Sequence, residues 1–307
     1  MLSIIIINYK TPQLTLQCVE SIVATTKSAY EIIVVDNNSG DNSQQVVTQS
    51  YPQVVWINNH SNEGFGRANN LGAAHAKGEY ILLLNSDIVV TNNTIDSCLE
   101  KMMENSNIGF LSCTLKNNDG SIANSTYTDI VSVARLLNLN VVLYKLHGKF
   151  EVKPETTAYM GAFLMFSKDV YNKAGGFDPD YFMYFEELDL CNRIIKLGYS
   201  PYFNNDTFAY HKHGASFSNQ TKRLKQIYAS QALIVYKHKG ILHYLLYHTI
   251  MHFNIATNAV VSLFVRKYWK RTSTDIKAYF LNYFTYYKIP FLYSRKIGTH
   301  KRLLKVI

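Results

Sequence analysis

Residues 79–87, EYILLLNSD, constrain the fold more than any other stretch. An uninterrupted apolar run, YILLL, follows a Gly-Glu turn and stops abruptly at Asn85-Ser86-Asp87. Such a run suits a strand buried on both faces, as in a parallel sheet covered by helices. Open parallel sheets bind ligands just beyond the carboxyl ends of their strands. The spacing therefore puts Asp87 where a carboxylate meets a ligand, and an oxygen-rich tip suits a hard divalent cation that also holds a phosphate. Taken alone, the tripeptide reads at least as readily as an Asx turn capping the next helix.

The neighbouring segments repeat the pattern. Residues 2–7 form an apolar, β-branched strand ending in Asn8-Tyr9-Lys10-Thr11-Pro12, with Pro12 in the first turn of a helix and Thr11 as its cap. A second strand, 31–35, ends in Asp36-Asn37-Asn38, and a third covers 54–57. The segment 62–72, NEGFGRANNLG, opens the helix before the 80–84 strand. Strands alternating with helices at this spacing predict a parallel α/β sheet. Residues 88–90 are a short apolar piece, followed by a helix capped by Thr91 or Asn92 and running to about 104. Further strands are expected at 108–115 and 159–166, the latter passing through Gly161, with short ones at 202–203 and 207–210. Helices are expected over 168–174 and from Glu186 to 197, where Gly198 stops the chain. Residues 124–157 read as a variable insertion with a helical piece at 131–144.

Charge divides the 307 residues unequally. From Lys222 onward there are 16 Lys/Arg against one acidic residue, Asp275, whereas the first 221 residues carry 15 basic and 21 acidic. A basic appendage of this kind points to an anionic partner. Within it, residues 241–265 hold no formally charged side chain, long enough to span a bilayer. On a helical projection His243, His248, His252, Asn254, Asn258 and Ser262 fall within one half of the circumference. Leu245, Leu246, Ile250, Phe253, Val260, Leu263 and Phe264 take the other. That pattern favours a helix lying in the membrane interface over one crossing it, with Lys237, Lys239, Arg266, Lys267, Lys270 and Arg271 facing anionic headgroups. The bland reading is a helix packed on the rest of the protein. Lipid is preferred to nucleic acid because the aromatics cluster with aliphatics rather than with Arg and Gly. Cys18, Cys98, Cys113 and Cys191 lie far apart, without C-x-x-C spacing, and read as reduced thiols. The N-terminus reads as a first strand, since no basic region precedes its apolar run.

Four polar clusters follow strands or open helices: 36–38, 62–70, 85–87 and 186–189. Their order and spacing resemble glycosyltransferase family 2, the inverting GT-A enzymes, and within it the rhamnosyltransferase-like branch of bacterial surface polysaccharide assembly. The segments carrying the resemblance are IIIINYKT, IIVVDNNSGDNS, NEGFGRANNLGAAHAKGEYILLLNSD, GGFDPDYFMYFEELDLCNRIIKLGY and HKHGAS, all within residues 1–217. The resemblance implies a GT-A domain over 1–217, its nucleotide-sugar half about 1–115 and its acceptor half about 116–217. Residues 218–307 would be a helical membrane-associating extension.

On the same resemblance, Asp36 binds the pyrimidine of a UDP- or dTDP-sugar beside Asn8 and Tyr9. Physically, an Asp at a strand tip can accept a pyrimidine N3–H. Asn62, Gly64 and Asn70 shape a loop over the nucleotide, and Arg67 reaches a phosphate or is solvated. Asn85, Ser86 and Asp87 match the family's metal motif with Asn in place of its first Asp, so that Mg²⁺ or Mn²⁺ would meet one less negative charge. His211 completes the metal shell, or His213 does. Glu187 falls where relatives carry an Asp as general base and is one methylene longer, which leaves Glu186 as the alternate. Asp189 and Arg193, spaced i,i+4, read as a helix-surface pair. Phe177 and the aromatics of 181–185 form either a sugar wall or core.

The implied partners are a nucleotide-sugar donor, a lipid-linked saccharide acceptor and an anionic membrane surface; no nucleic acid is expected. The implied location is the cytoplasmic face of the inner membrane. A nucleotidyltransferase would need a basic glycine-rich loop after the first strand, which IIIINYKTPQ lacks. A non-catalytic nucleotide-sugar or membrane-binding scaffold is the remaining rival.

Overall fold

The structure, a computed structural model, describes residues 1–123, 126–128, 157–212, 219–264, 266–280, 282–293, 295–297 and 304–306. The helical piece expected at 131–144 and His213 lie outside the described residues.

The apolar runs become the middle of an eight-stranded sheet. Its first half is β3 (Val55–Asn58), β2 (Tyr30–Asp36), β1 (Leu2–Asn8) and β4 (Tyr80–Asn85), side by side in that order and all parallel. It continues through β9 (Phe163–Ser167), β6 (Ile108–Lys116), β10 (Ser200–His211) and β5 (Ile88–Val90). β9 runs against β4 and β6, and β5 runs against β10. The sheet is thus mixed and mostly parallel. A separate two-stranded ribbon pairs β7 (Thr126–Thr128) with β8 (Thr157–Tyr159).

β1 shows why its sequence needs no polar alternation. Ile4 and Ile6 share a core with Cys18, Val19 and Ile22 of α1 (Pro12–Thr25) and with Ile95, Cys98 and Leu99 of α4 (Thr94–Glu104). Ile5 lies instead against α3 (Gly64–His75), where a Cβ on Gly72 would come within 2.5 Å of its Cγ2. Both faces are therefore covered, and each wholly buried Ile contributes roughly 1.5–3 kcal/mol. The helices α2 (Ser43–Ser50), α5 (Lys168–Lys173) and α6 (Glu186–Lys196) also belong to this part of the chain.

Several sequence expectations are corrected. Thr11 is the N-cap residue of α1, as expected, but its hydroxyl makes no capping bond and contacts Asn8 and Ser86 instead. α4 begins after Asn93, which is in the left-handed region (φ 65°), rather than at a Thr91 or Asn92 cap. The strand expected at 159–166 divides at Gly161 into β8 and β9, which belong to different sheets. The short strands at 202–210 are one strand with an irregularity between Asn204 and Phe208. α2 is an element that the turn-rich 36–43 segment concealed.

Contacts divide the chain into two compact units. The first takes Met1–Thr128, Lys153–Asp178 and Glu186–Ser216; the second includes Pro179–Phe185 and Phe217–Ile307. The second unit contains α7 (Gln220–Lys239), α8 (Ile241–Phe264), α9 (Arg266–Phe280) and α10 (Tyr283–Leu292). In it a buried Lys237–Asp180 ion pair at 2.6 Å and a Ser230 hydroxyl donated to the Met183 carbonyl hold the 179–185 segment. Tyr181 and Phe182 are core residues there, not an exposed wall. α8 turns Tyr244, Tyr247, Met251 and Ile255 inward and leaves Leu242, Leu245, Leu246, Phe253, Val260 and Leu263 exposed. His248 belongs to the packed side, its Nδ1 2.7 Å from the Tyr279 hydroxyl, and not to a wet polar face. Among the described residues, no helix is long and apolar enough to cross a membrane.

Candidate active site

Strand register lines up the candidate residues of the first unit. Asn8 pairs with Asp36, Ile7 with Asn85, and His211 with Ile88, so β1, β2, β4 and β10 all end on one edge of the sheet. β9 enters from that edge, and the Asn85 amide donates to the Ala162 carbonyl at 3.0 Å.

Asp36 is buried and anchored. Its Oδ1 accepts from Asn8 Nδ2 (2.6 Å) and Ser39 Oγ (2.5 Å), and its Oδ2 accepts from the Ser39 amide (2.9 Å). A carboxylate offers about four lone-pair positions, so one on Oδ2 stays available for a ligand N–H. Asn8 Oδ1 in turn accepts from Thr11 and Thr15, and the Thr11 hydroxyl lies 3.1 Å from that of Ser86. This chain of polar contacts joins the β1 and β2 tips to the β4 tip. Tyr9 is exposed, with the Lys10 ammonium 5.5 Å from its ring centre. An open cleft of ≈ 220 Å³ lies beside Asp36, lined by Asn38, Asp41, Trp56, Asn58 and Asn59 among others.

Asn37, absent from the sequence-derived candidates, organises the next loop. Its amide donates to Asn62 Oδ1 (3.2 Å) and the Gly64 carbonyl (3.0 Å), while Asn62 Oδ1 also accepts from the Gly64 amide. The run of Asn after β2 was the visible signal. Arg67 pairs with Glu63, the residue just before α3, at 2.9 Å. Asn70 is engaged elsewhere: Oδ1 accepts from the Tyr171 hydroxyl (2.6 Å) and the Phe177 amide (2.9 Å), and Nδ2 donates to the Phe177 carbonyl (2.8 Å).

Asp87 Oδ1 lies 3.3 Å from His211 Nε2, with both side chains nearly buried. Asp87 precedes β5, whose Ile88 pairs with His211, and the Lys212 amide donates to the Asp87 carbonyl. Two independent backbone ties therefore fix the pair. Among the described residues no group of three His, Cys, Asp or Glu side chains surrounds a metal position. A carboxylate with one imidazole is nevertheless a fitting partial set for a cation completed by phosphate oxygens and water, and the imidazole suits Mn²⁺ better than Mg²⁺.

Glu186 and Glu187 open α6 and are buried. Burial, then the Glu187 carboxylate beside it, pushes the Glu186 carboxyl well above its ordinary range and so favours its neutral form. Just before it, Tyr184 and Phe185 both have φ of 70°, a conformation that costs non-glycine residues about 1–3 kcal/mol each and concentrates at functional sites. Glu187 lies beside Gly161, which precedes the Ala162 that accepts from Asn85: a Cβ on Gly161 would lie 3.8 Å from that of Glu187 and 2.9 Å from the Phe65 ring. Absence of a side chain at 161 thus lets β9, α3 and α6 approach closely; a Gly inside a strand pattern is the sequence sign of such an approach. Asp189 and Arg193 are not a surface pair. Arg193 is held within 2.9 Å of Asp189 by both Nε and Nη2, and it also donates to the Ala174 and Gly176 carbonyls.

The mixed, mostly parallel sheet with flanking helices is of the GT-A kind, and the comparisons agree. The model of the family "Glycosyl transferase family 2" matches residues 3–175, so the chain belongs to that family. Rhamnosyltransferases are among its relatives within that family. It is 28% identical over 197 residues to the low-salt glycan biosynthesis hexosyltransferase Agl10 of Haloferax volcanii, covering 62% of this chain and 61% of that protein. It is 26% identical over 220 residues to the N-acetylglucosaminyl-diphospho-decaprenol L-rhamnosyltransferase of Mycobacterium tuberculosis, covering 62% of this chain and 70% of that one. Among solved structures it resembles a mannosyltransferase from Pyrobaculum calidifontis in complex with GDP-Man and Mn²⁺. The TM-score is 0.57 at 14% identity, over 90% of this chain and 84% of that one.

Proposed function

We propose that the protein is an inverting glycosyltransferase. It moves a sugar from a UDP- or dTDP-sugar, dTDP-rhamnose among the candidates, to a hydroxyl of a lipid-linked saccharide in surface polysaccharide assembly such as O-antigen or capsule. The observation carrying this reading is that Asp36, the Asp87–His211 pair and, through Gly161, Glu187 belong to one sheet edge. The rhamnosyltransferase among its relatives, named for a decaprenol-linked acceptor, supports the lipid-linked class.

Each residue then has a task. Asp36 accepts the N3–H of the base, with the Asn37–Asn62–Gly64 loop beside it. Asp87 and His211, with Asn85 two residues before Asp87, would hold Mn²⁺ or Mg²⁺, whose charge would neutralise the departing diphosphate. Glu187 is the base, because it is the glutamate beside Gly161, while burial favours the neutral form of Glu186. Glu187 takes the proton from the acceptor hydroxyl. The freed oxygen pair forms the new bond to the anomeric carbon on the face opposite the diphosphate, whose C–O bond breaks with the electrons leaving on phosphate oxygen. One in-line displacement inverts the anomeric centre, and positioned general-base help is worth about 10²–10⁴-fold.

Residues 1–217 are assigned as the catalytic domain and 218–307 as an extension that meets the cytoplasmic membrane surface. The exposed Leu and Phe stripe of α8 and the basic excess after Lys222 support that assignment. The test of the activity is nucleoside diphosphate release from a panel of UDP- and dTDP-sugars with MnCl₂. Release from a particular donor, suppressed by EDTA, is expected. No release from any donor would leave the scaffold reading in its place.

A further inference from the structure

Resting on the proposed role of Glu187, we infer that Arg193 and Phe65 are positioning residues that fix this carboxylate from two sides. The contacts form a closed ring within the first unit. From Glu187 the ring passes to Gly161, whose position abuts Phe65 at the start of α3. Phe65 meets the Phe177 ring edge-on at 5.8 Å between centroids. Phe177 ends the turn from Ala174, and Arg193 donates to the carbonyls of Ala174 and Gly176 within that turn. Arg193 lies on α6, the helix that Glu187 opens, so the ring closes on the glutamate itself.

The turn is built to be a fixed point. Gly175 and Gly176 both have positive φ, and a Cβ on Gly176 would sit 2.7 Å from Asn70 Oδ1. Asn70 holds the Phe177 amide and carbonyl from α3, while Arg193 holds the preceding carbonyls from α6. Arg193 is itself aligned by the buried Asp189 carboxylate through two nitrogens. A planar guanidinium can serve this carboxylate and two carbonyls together, which an ammonium cannot. The ring therefore sets both the rotation and the axial position of the first turn of α6. Displacing a catalytic group by about 1 Å costs on the order of 10²-fold in rate.

The test uses the full chain with Arg193→Lys and, separately, Phe65→Leu. The readouts are the rate of nucleoside diphosphate release at saturating donor and the affinity for UDP and dTDP with Mn²⁺. Near-UV circular dichroism reports the fold. Each variant is expected to lose roughly 10–100-fold in rate. Nucleotide affinity should stay within about twofold, a split that general loosening of the domain would not give. The double variant should lose less than the product of the two, because both break the same ring. Parental turnover in a folded variant would overturn the inference, as would nucleotide affinity falling in step with the rate. Should Arg193→Lys unfold the chain, Phe65→Leu decides. A parent protein without turnover on any donor would instead overturn the glycosyltransferase reading.

Discussion

At the scale of single residues, the adjacent glutamates differ in the work available to them. Glu186 is wholly enclosed beside Glu187, and its neutral form is favoured. Glutamine imitates a neutral carboxyl, so Glu186→Gln should keep turnover within several-fold of the parent in a nucleoside diphosphate release assay. A loss as large as that expected at position 187 would exchange the two roles. Gly161 offers a check on packing. An added methyl would fall 2.9 Å from the Phe65 ring, so Gly161→Ala should destabilise the chain by about 1–3 kcal/mol in denaturant titration. The clusters holding Asp36, Asp87 and Glu187 stand out in the sequence because each follows an apolar run or opens a helix, whereas the tasks proposed for them, and His211 altogether, come from the family resemblance. Gly161 and Asn37 could not be ranked there. What makes them matter is the proximity of segments far apart in the chain, which no local spacing encodes.

At the scale of elements, β1, β2 and β4 were legible because burial on both faces leaves unbroken apolar runs. β5 and β9 were harder. Each is short, and each runs against its neighbours in a sheet whose alternating rhythm implies parallel pairing. The Asp189–Arg193 pair was misread for a related reason: i,i+4 spacing shows that two side chains can meet, not whether that helix face is covered. α8 shows the same limit. Most of its apolar half is exposed, but Ile250 is buried, and Tyr244 and Tyr247 carry the polar-aromatic side into the packing with His248. Burial, with His252 adding to it, pushes His248 down to about 4. Tyr244, Tyr247, Tyr279 and Tyr286 surround it, with His252 one turn along α8. The unfolded chain binds this proton more readily, so the stabilisation from neutral His248 is complete above about pH 6.5. It is lost as pH falls towards 4, by on the order of 3 kcal/mol. Thermal unfolding of the helical unit should show that step, and His248→Phe should remove it; an unchanged profile would contradict the burial of this ring.

At the scale of the whole molecule, the chain carries a sheet edge with the proposed site residues and a basic, partly apolar helical extension. The surface reading of α8 is open to direct measurement. Leu245→Glu with Phe253→Glu should weaken co-sedimentation with vesicles of phosphatidylglycerol and phosphatidylethanolamine at least about tenfold. Nucleotide binding should be unaffected, and unchanged sedimentation would mean that the exposed stripe faces something other than lipid. The central claim is a division of labour at the sheet edge: Asp87 with His211 handles the diphosphate, and Glu187 removes the acceptor proton. Its most direct test is single-turnover sugar transfer, with nucleotide affinity measured in parallel, for the parent, Asp87→Ala and Glu187→Gln. The account predicts that Glu187→Gln loses about 10²–10⁴-fold in rate at parental affinity for Mn²⁺-UDP or Mn²⁺-dTDP, whereas Asp87→Ala loses both. Parental rates in Glu187→Gln, or metal-dependent nucleotide binding that survives Asp87→Ala intact, would contradict it.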